Sequence, residues 1–156
     1  MKEYFLRLYR YNQWANQTYL DALAPISEVP SRVLLLFSHV LTAQNNWLNR
    51  IKGVTHEPMP IWENKTLQEL QALADLNSQL WLEFLEASTE ESLQKMVHYT
   101  NMQGLPYETL ASDIIIHVAN HGTYHRAQFA LILREHAIAP PNTDYITYTR
   151  VISHQL

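Results

Sequence analysis

Apolar positions recur at three- and four-residue steps along most of this chain, a period that predicts helices. Over residues 2–23, Tyr4, Phe5, Leu8, Tyr11, Ala15, Tyr19 and Ala22 mark one buried face. Pro25 and Pro30 interrupt the pattern. A second helix then begins with Ser31 as its N-cap and ends near Gly53. Beyond a link that holds Pro58 and Pro60, Thr66 and Glu69 read as a capping box for a third helix. Leu70, Leu73, Leu76, Leu80 and Phe84 carry that helix to about Ala87. Residues 93–106 lose the period, and Val97, Tyr99 and Gly104 there predict a small irregular excursion or hairpin. The last long helix covers residues 107–136, and Pro140 and Pro141 prevent its continuation. The tail from Asn142 is expected to be irregular, with room for one short helix.

Four long amphipathic helices predict one all-α domain over residues 1–156, a four-helix bundle. The link of roughly a dozen residues between the second and third helices is long for a hairpin and allows a crossover. Apolar residues at 47% and charged ones at 17% place the chain among globular proteins. A net charge of -4, with the Lys and Arg residues scattered, argues against nucleic acid as a partner. The run VLLLF is too short to span a bilayer, so no membrane partner is expected. The opening MKEYFLRLYRYNQW has neither an apolar core nor a small-residue cleavage site, so a cytoplasmic location is expected.

Cysteine is absent, which removes disulfides, thiolate ligands and cysteine nucleophiles together. Any bound metal must use histidine, carboxylate or water. The stretch HVANHGTYHRAQ sets His117, His121 and His125 four residues apart. Each step turns a side chain by ~40° and advances it by ~6 Å, so His117 and His125 lie ~12 Å apart along the axis. Ligand nitrogens on one ion approach to roughly 3 Å. All three cannot share an ion; two neighbours can.

Ile114, Val118, Phe129 and Ile132 define the core-facing stripe. His121 and His125 project within it and His117 lies at its edge, where water or a carbonyl can satisfy the ring. A third ligand should come from another helix. His39, inside LLLFSHVLTAQNNW, is the one remaining histidine expected on a core-facing helical position. His56 falls in the proline-bounded link, His98 in the excursion, His136 at a helix end and His154 in the tail. A lone core histidine is more often hydrogen-bonded than ligating, so the metal reading rests on His39, His121 and His125 together. Around them, Gln128 could bond a ligand ring or a bound water. Arg126 is expected to point away into a salt bridge, and Asp113 to pair with His117 one turn on. Trp14, Trp47 and Trp81 read as core, and Tyr107 and Tyr124 as candidates for a pocket rim.

The histidine helix resembles the DinB/YfiT-like family of metalloenzymes, which carries Asn-His-x-x-x-His-Arg-Gly-Gln. Here that reads Asn120, His121, Gly122, Thr123, Tyr124, His125, Arg126, Ala127 and Gln128. YNQWAN at residues 11–16, the helix-two histidine followed by Trp47, and PPNTDYITY at residues 140–148 agree as well. The resemblance thus extends over nearly the whole chain. Ala127 departs from the usual glycine, a change expected to spare the metal and at most tighten a helix contact. The resemblance implies a bundle with a crossover, His39, His121 and His125 as ligands, nickel or zinc as the metal, and a homodimer. Tyr4, Tyr11, Trp14 and Tyr19 on one helix, more aromatic rings than one core stripe holds, point to the same dimer.

A neutral three-histidine site leaves a coordination position open, the pattern of catalytic zinc. Relatives in the family include thiol-dependent transferases and isomerases, which implies a small-molecule substrate and a low-molecular-weight thiol as cosubstrate. A metal-dependent, thiol-linked enzyme is therefore the leading expectation. A metal-binding or stress-response bundle without turnover, and a bundle merely braced by an ion, are the alternatives.

Overall fold

A computed structural model gives the fold and describes residues 1–54, 58–101 and 103–153. His56 and His154 lie outside the described residues. In chain order the elements are α1 (Lys2–Leu23), α2 (Ser31–Ile51), α3 (Leu67–Ala87), α4 (Glu90–Leu93), β1 (Met96–Thr100), β2 (Pro106–Leu110), α5 (Ala111–Glu135) and α6 (Tyr145–Ser153). The expected helices are present, and the fold is helical apart from one hairpin.

Local chemistry sets the boundaries. At the start of α3, Thr66 Oγ1 accepts the Glu69 amide at 3.3 Å while Glu69 Oε2 accepts the Thr66 amide at 2.7 Å. That is the capping box expected from the sequence. Ser31 is not the cap of α2. Pro30 takes that position with ψ 125°, and its carbonyl accepts the amides of Val33 and Leu34. Nor does α5 begin at Tyr107. Residues 106–110 pair antiparallel with β1, Tyr99 opposite Tyr107, and the Asn101 side chain accepts the Gln103 and Leu105 amides to close the turn. Gly104 supplies the positive φ of 79° that this turn requires.

The buried face of α3 also differs from the expected one. Leu70, Leu73, Ala74, Asn77, Trp81 and Leu85 are buried, whereas Leu76 is exposed. α3 packs against both α1 and α2, so its inward stripe is broader than the leucine steps suggest. On α1, Tyr4 likewise faces solvent.

Two apolar clusters give the helices their directions. One joins Tyr19 and Leu23 near the end of α1, Val33 and Phe37 near the start of α2, Leu70 and Leu73 of α3, and Phe129 and Ile132 of α5. The other joins Phe5 and Tyr9, Leu48, Trp81 and Leu85, and Ile114 and Val118. α1 and α5 therefore run one way, α2 and α3 the other. α2 ends and α3 begins at opposite ends of the bundle, so the connection between them is a crossover.

α6 packs across α1: the Tyr11 hydroxyl donates to the Thr143 carbonyl at 2.9 Å, and the Tyr148 ring lies 5.7 Å from Tyr11 and 5.6 Å from Trp14. Tyr19 is buried against Phe129. Tyr11, Trp14 and Tyr19 are thus packed within the chain, and Tyr4, the one ring of the four that stays exposed, does not by itself argue for a partner surface.

Candidate metal centre

α2 and α5 pack as antiparallel neighbours midway between the two apolar clusters, and there they bring three histidines together. His39 lies on α2, with His121 and His125 one turn apart on α5. His121 Nε2 is 3.1 Å from His39 Nε2 and 3.1 Å from His125 Nε2. One nitrogen from each ring lies within 4.8 Å of the other two.

The outer nitrogens decide what faces inward. His39 Nδ1 meets the Ile61 carbonyl at 3.1 Å, and His125 Nδ1 meets Gln128 Oε1 at 3.1 Å. Both oxygens only accept, so each Nδ1 carries the proton and each Nε2 presents a lone pair. Trp62 stacks on His39 at 4.0 Å with the planes 7° apart, fixing that ring. His121 Nε2 can donate to one neighbour at most. Three converging nitrogens with at most one proton among them suit a cation. Nitrogens bound tetrahedrally to one divalent ion stand about 3.3 Å apart, close to the spacing of the two adjacent pairs. The three could hold a divalent metal.

Burial keeps the rings neutral, the form that ligates. His121 is pushed down to about 3, first by desolvation and then by the neighbouring His125, His39 and His117. Desolvation lowers His39 and His125 too, opposed in each by the hydrogen bond at the outer nitrogen.

His117 stands apart from the trio. It is exposed, edge-on to Trp47 at 5.5 Å, and its ring centre is 5.6 Å from that of His121. Among the described residues no ion pair joins it to Asp113. His98 instead meets Glu108 across the hairpin at 3.1 Å, and His136 Nδ1 lies 2.9 Å from the Ile132 carbonyl at the end of α5.

Beside the histidines runs a cavity of about 430 Å³, with His39, His121, Trp47, Met59, Tyr99 and Tyr107 in its wall. Tyr107 is thus a wall residue, whereas Tyr124 is exposed and edge-on to His125 at 5.3 Å. The crossover link is tied down by Asn46, whose Nδ2 donates to the Met59 carbonyl at 2.8 Å and whose Oδ1 accepts the Met59 amide at 2.9 Å. Asn46, Ile61 and Trp62 carried no signal in the sequence. Ile61 and Trp62 lie in a segment without period, and Asn46 acts through a contact outside its own helix.

Arg126 corrects an expectation. It does point away from the histidines, but it is buried and forms no salt bridge among the described residues. Its Nη1 donates to Asn12 Oδ1 at 3.0 Å and Asn16 Oδ1 at 2.9 Å, and its Nη2 to Thr123 Oγ1 at 3.1 Å. The YNQWAN segment therefore packs on the histidine helix through this arginine. Ala127 is exposed and tightens no helix contact.

The sequence profile of the DinB family matches residues 1–154, and the chain belongs to that family. Protein DinB of Bacillus subtilis (strain 168) is 28% identical over 165 residues, covering 95% of each chain. A crystal structure of a DinB-like protein from Bacillus cereus ATCC 10987 superposes with a TM-score of 0.68 at 18% identity, over 90% of this chain and 95% of that one. The latter likeness is one of fold.

Proposed function

We propose that this chain is a metal-dependent enzyme that joins a small thiol to an electrophile or isomerises a substrate through such a thiol. The observation that carries the reading is a cluster of three neutral histidines, two of which, His39 and His121, stand in the wall of a substrate-sized, largely apolar cavity. His39, His121 and His125 would hold zinc or nickel, which when bound supplies the Lewis acidity that makes a thiol or water acidic at neutral pH. The Ile61 carbonyl and Gln128 hold the tautomers that ligation needs, and Trp62 holds the His39 ring. Trp47, Tyr99 and Tyr107 take the apolar body of the substrate and exclude water around the reacting end. The protein has no cysteine, so the sulfur nucleophile must come from a cosubstrate.

The cavity is what favours turnover over bracing, because a bracing ion needs no space beside it. Among the described residues no helix is long and apolar enough to cross a membrane. The homodimer rests on the family resemblance alone, now that α6 covers Tyr11 and Trp14.

Protein purified without an affinity tag should carry one divalent ion per chain. It should accelerate transfer of some small thiol to an acceptor across a panel of both. Chelation should abolish the rate and added metal restore it. Rates equal to those of the His39→Ala/His121→Ala/His125→Ala protein for every pair would overturn the catalytic reading.

A further inference from the structure

The same α2 face that presents His39 continues along the cavity through Ala43 and Trp47 to Arg50. Arg50 lies eleven residues beyond His39, ~16 Å along the helix axis, and Trp47 ~12 Å. The Arg50 guanidinium folds back over Trp47, its carbon 4.6 Å from that ring centre and 5.4 Å from the Tyr99 ring. Arg50 is half-buried, and burial lowers its pKa. Among the described residues no carboxylate pairs with it, and none of its side-chain nitrogens has a hydrogen-bond partner. Two aromatic faces partly offset the desolvation of a cation, but they leave its N–H groups unused. A partly desolvated guanidinium on a cavity wall is a receptor for a planar oxyanion, which it grips by two parallel hydrogen bonds.

We infer that Arg50 anchors a carboxylate at one end of the substrate or cosubstrate, whose other end reaches His39 and His121. This rests on the reading of the cavity as the substrate site. The ligand is an elongated molecule with a single negative charge, an apolar middle against Trp47 and Tyr99, and a reactive head on the order of 10 Å from the charge. One charge is the match because Arg50 is the one Lys or Arg among the described wall residues. A phosphate dianion would ask for a second cation. Arg50 is a positioning residue: it fixes where the reacting atom comes to rest without touching it.

The test uses 6-mercaptohexanoate and 6-mercaptohexan-1-ol, equal in length and differing in charge at the far end. Their binding is measured by calorimetry on zinc-loaded and chelated protein, wild type, Arg50→Lys and Arg50→Met, each checked for helicity. Wild type should bind the carboxylate about tenfold tighter than the alcohol, a preference that shrinks in high salt. Arg50→Met should bring the ratio near one, chiefly by weakening the carboxylate, and Arg50→Lys should keep part of the preference. A ratio near one in wild type, or the same ratio in Arg50→Met, would overturn the inference. The gain from zinc, read with the alcohol alone, tests the metal reading separately. A carboxylate preference that persists in chelated protein supports Arg50 even where zinc adds nothing.

Discussion

Helix α5 carries two polar clusters between the same two apolar ones, one facing α2 and the other facing α1. On the α1 side Arg126 is a buried cation whose donors meet Asn12, Asn16 and Thr123 oxygens, with the Tyr11 ring 5.6 Å away. On the α2 side His39, His121 and His125 turn acceptors toward one another. In the first cluster both Nη atoms of the arginine meet the chain's own oxygens, although Nε has no partner among the described residues. The second turns ring nitrogens toward one another with no such match. Burial alone therefore does not separate a brace from a site. The pairing of donors with acceptors does.

Removing one histidine should have the largest effect, and of opposite sign in metal binding and in stability. His125→Leu should weaken zinc or nickel on the order of a hundredfold or more, because a two-ligand site remains. The wild type should be stabilised by added metal through mass action, and the variant should not be. Without metal, the variant should be as stable as wild type or more so in urea, since an apolar side chain removes a converging buried acceptor. His117→Ala should keep the metal. Full retention of the metal in His125→Leu after dialysis would erase the distinction between the clusters.

The arginine cluster should respond the other way. Arg126→Met leaves the Asn12 and Asn16 oxygens buried without a donor, and should cost about 2–4 kcal/mol in urea denaturation. Gly122→Ala tests the same contact from the backbone. A Cβ there would stand 2.9 Å from both Arg126 Nη1 and Asn12 Oδ1, with an expected cost of about 1–3 kcal/mol. Both variants should retain full metal stoichiometry at temperatures where they are folded. Loss of metal with the fold intact would mean that the clusters are coupled through α5.

The histidine cluster was legible in the sequence because a four-residue step is a local property. His121 and His125 follow from it, and His39 from its place in an apolar helix. The arginine cluster was not legible. Arg126 and Asn12 are 114 positions apart, and nothing local tells an exposed arginine from one that α1 will cover. The same limit hid Trp62, Ile61 and Asn46, whose partners lie across the crossover. Helix periods placed α1, α2 and α3 well but extended α5 backward over Tyr107–Leu110, because that run keeps a helical appearance until β1 pairs with it. α6 was foreseen only as a short helix, and its covering of Tyr11 depends on a contact 132 positions away.

The smallest effect concerns pH, and its sign follows from the same convergence of acceptors. In metal-free protein His121 titrates near 3 against an ordinary value of 6.5, with His39 and His125 also lowered, chiefly by burial. A group depressed in the folded state takes up its proton first in the unfolded chain. Its contribution is therefore complete above pH 6.5 and is lost as pH falls toward 3. Glu69 and Glu90, depressed by hydrogen bonds from the Thr66 and Lys2 amides, lose theirs in the same direction, but below their ordinary value of 4.5. Between pH 6.5 and 5 the histidines dominate. The urea midpoint of metal-free wild type should fall across that interval, and that of His121→Gln should fall less. Arg126→Met, which leaves every histidine in place, should keep the wild-type slope on a lower curve. Equal slopes for wild type and His121→Gln would show that the converging acceptors do not set the acid sensitivity.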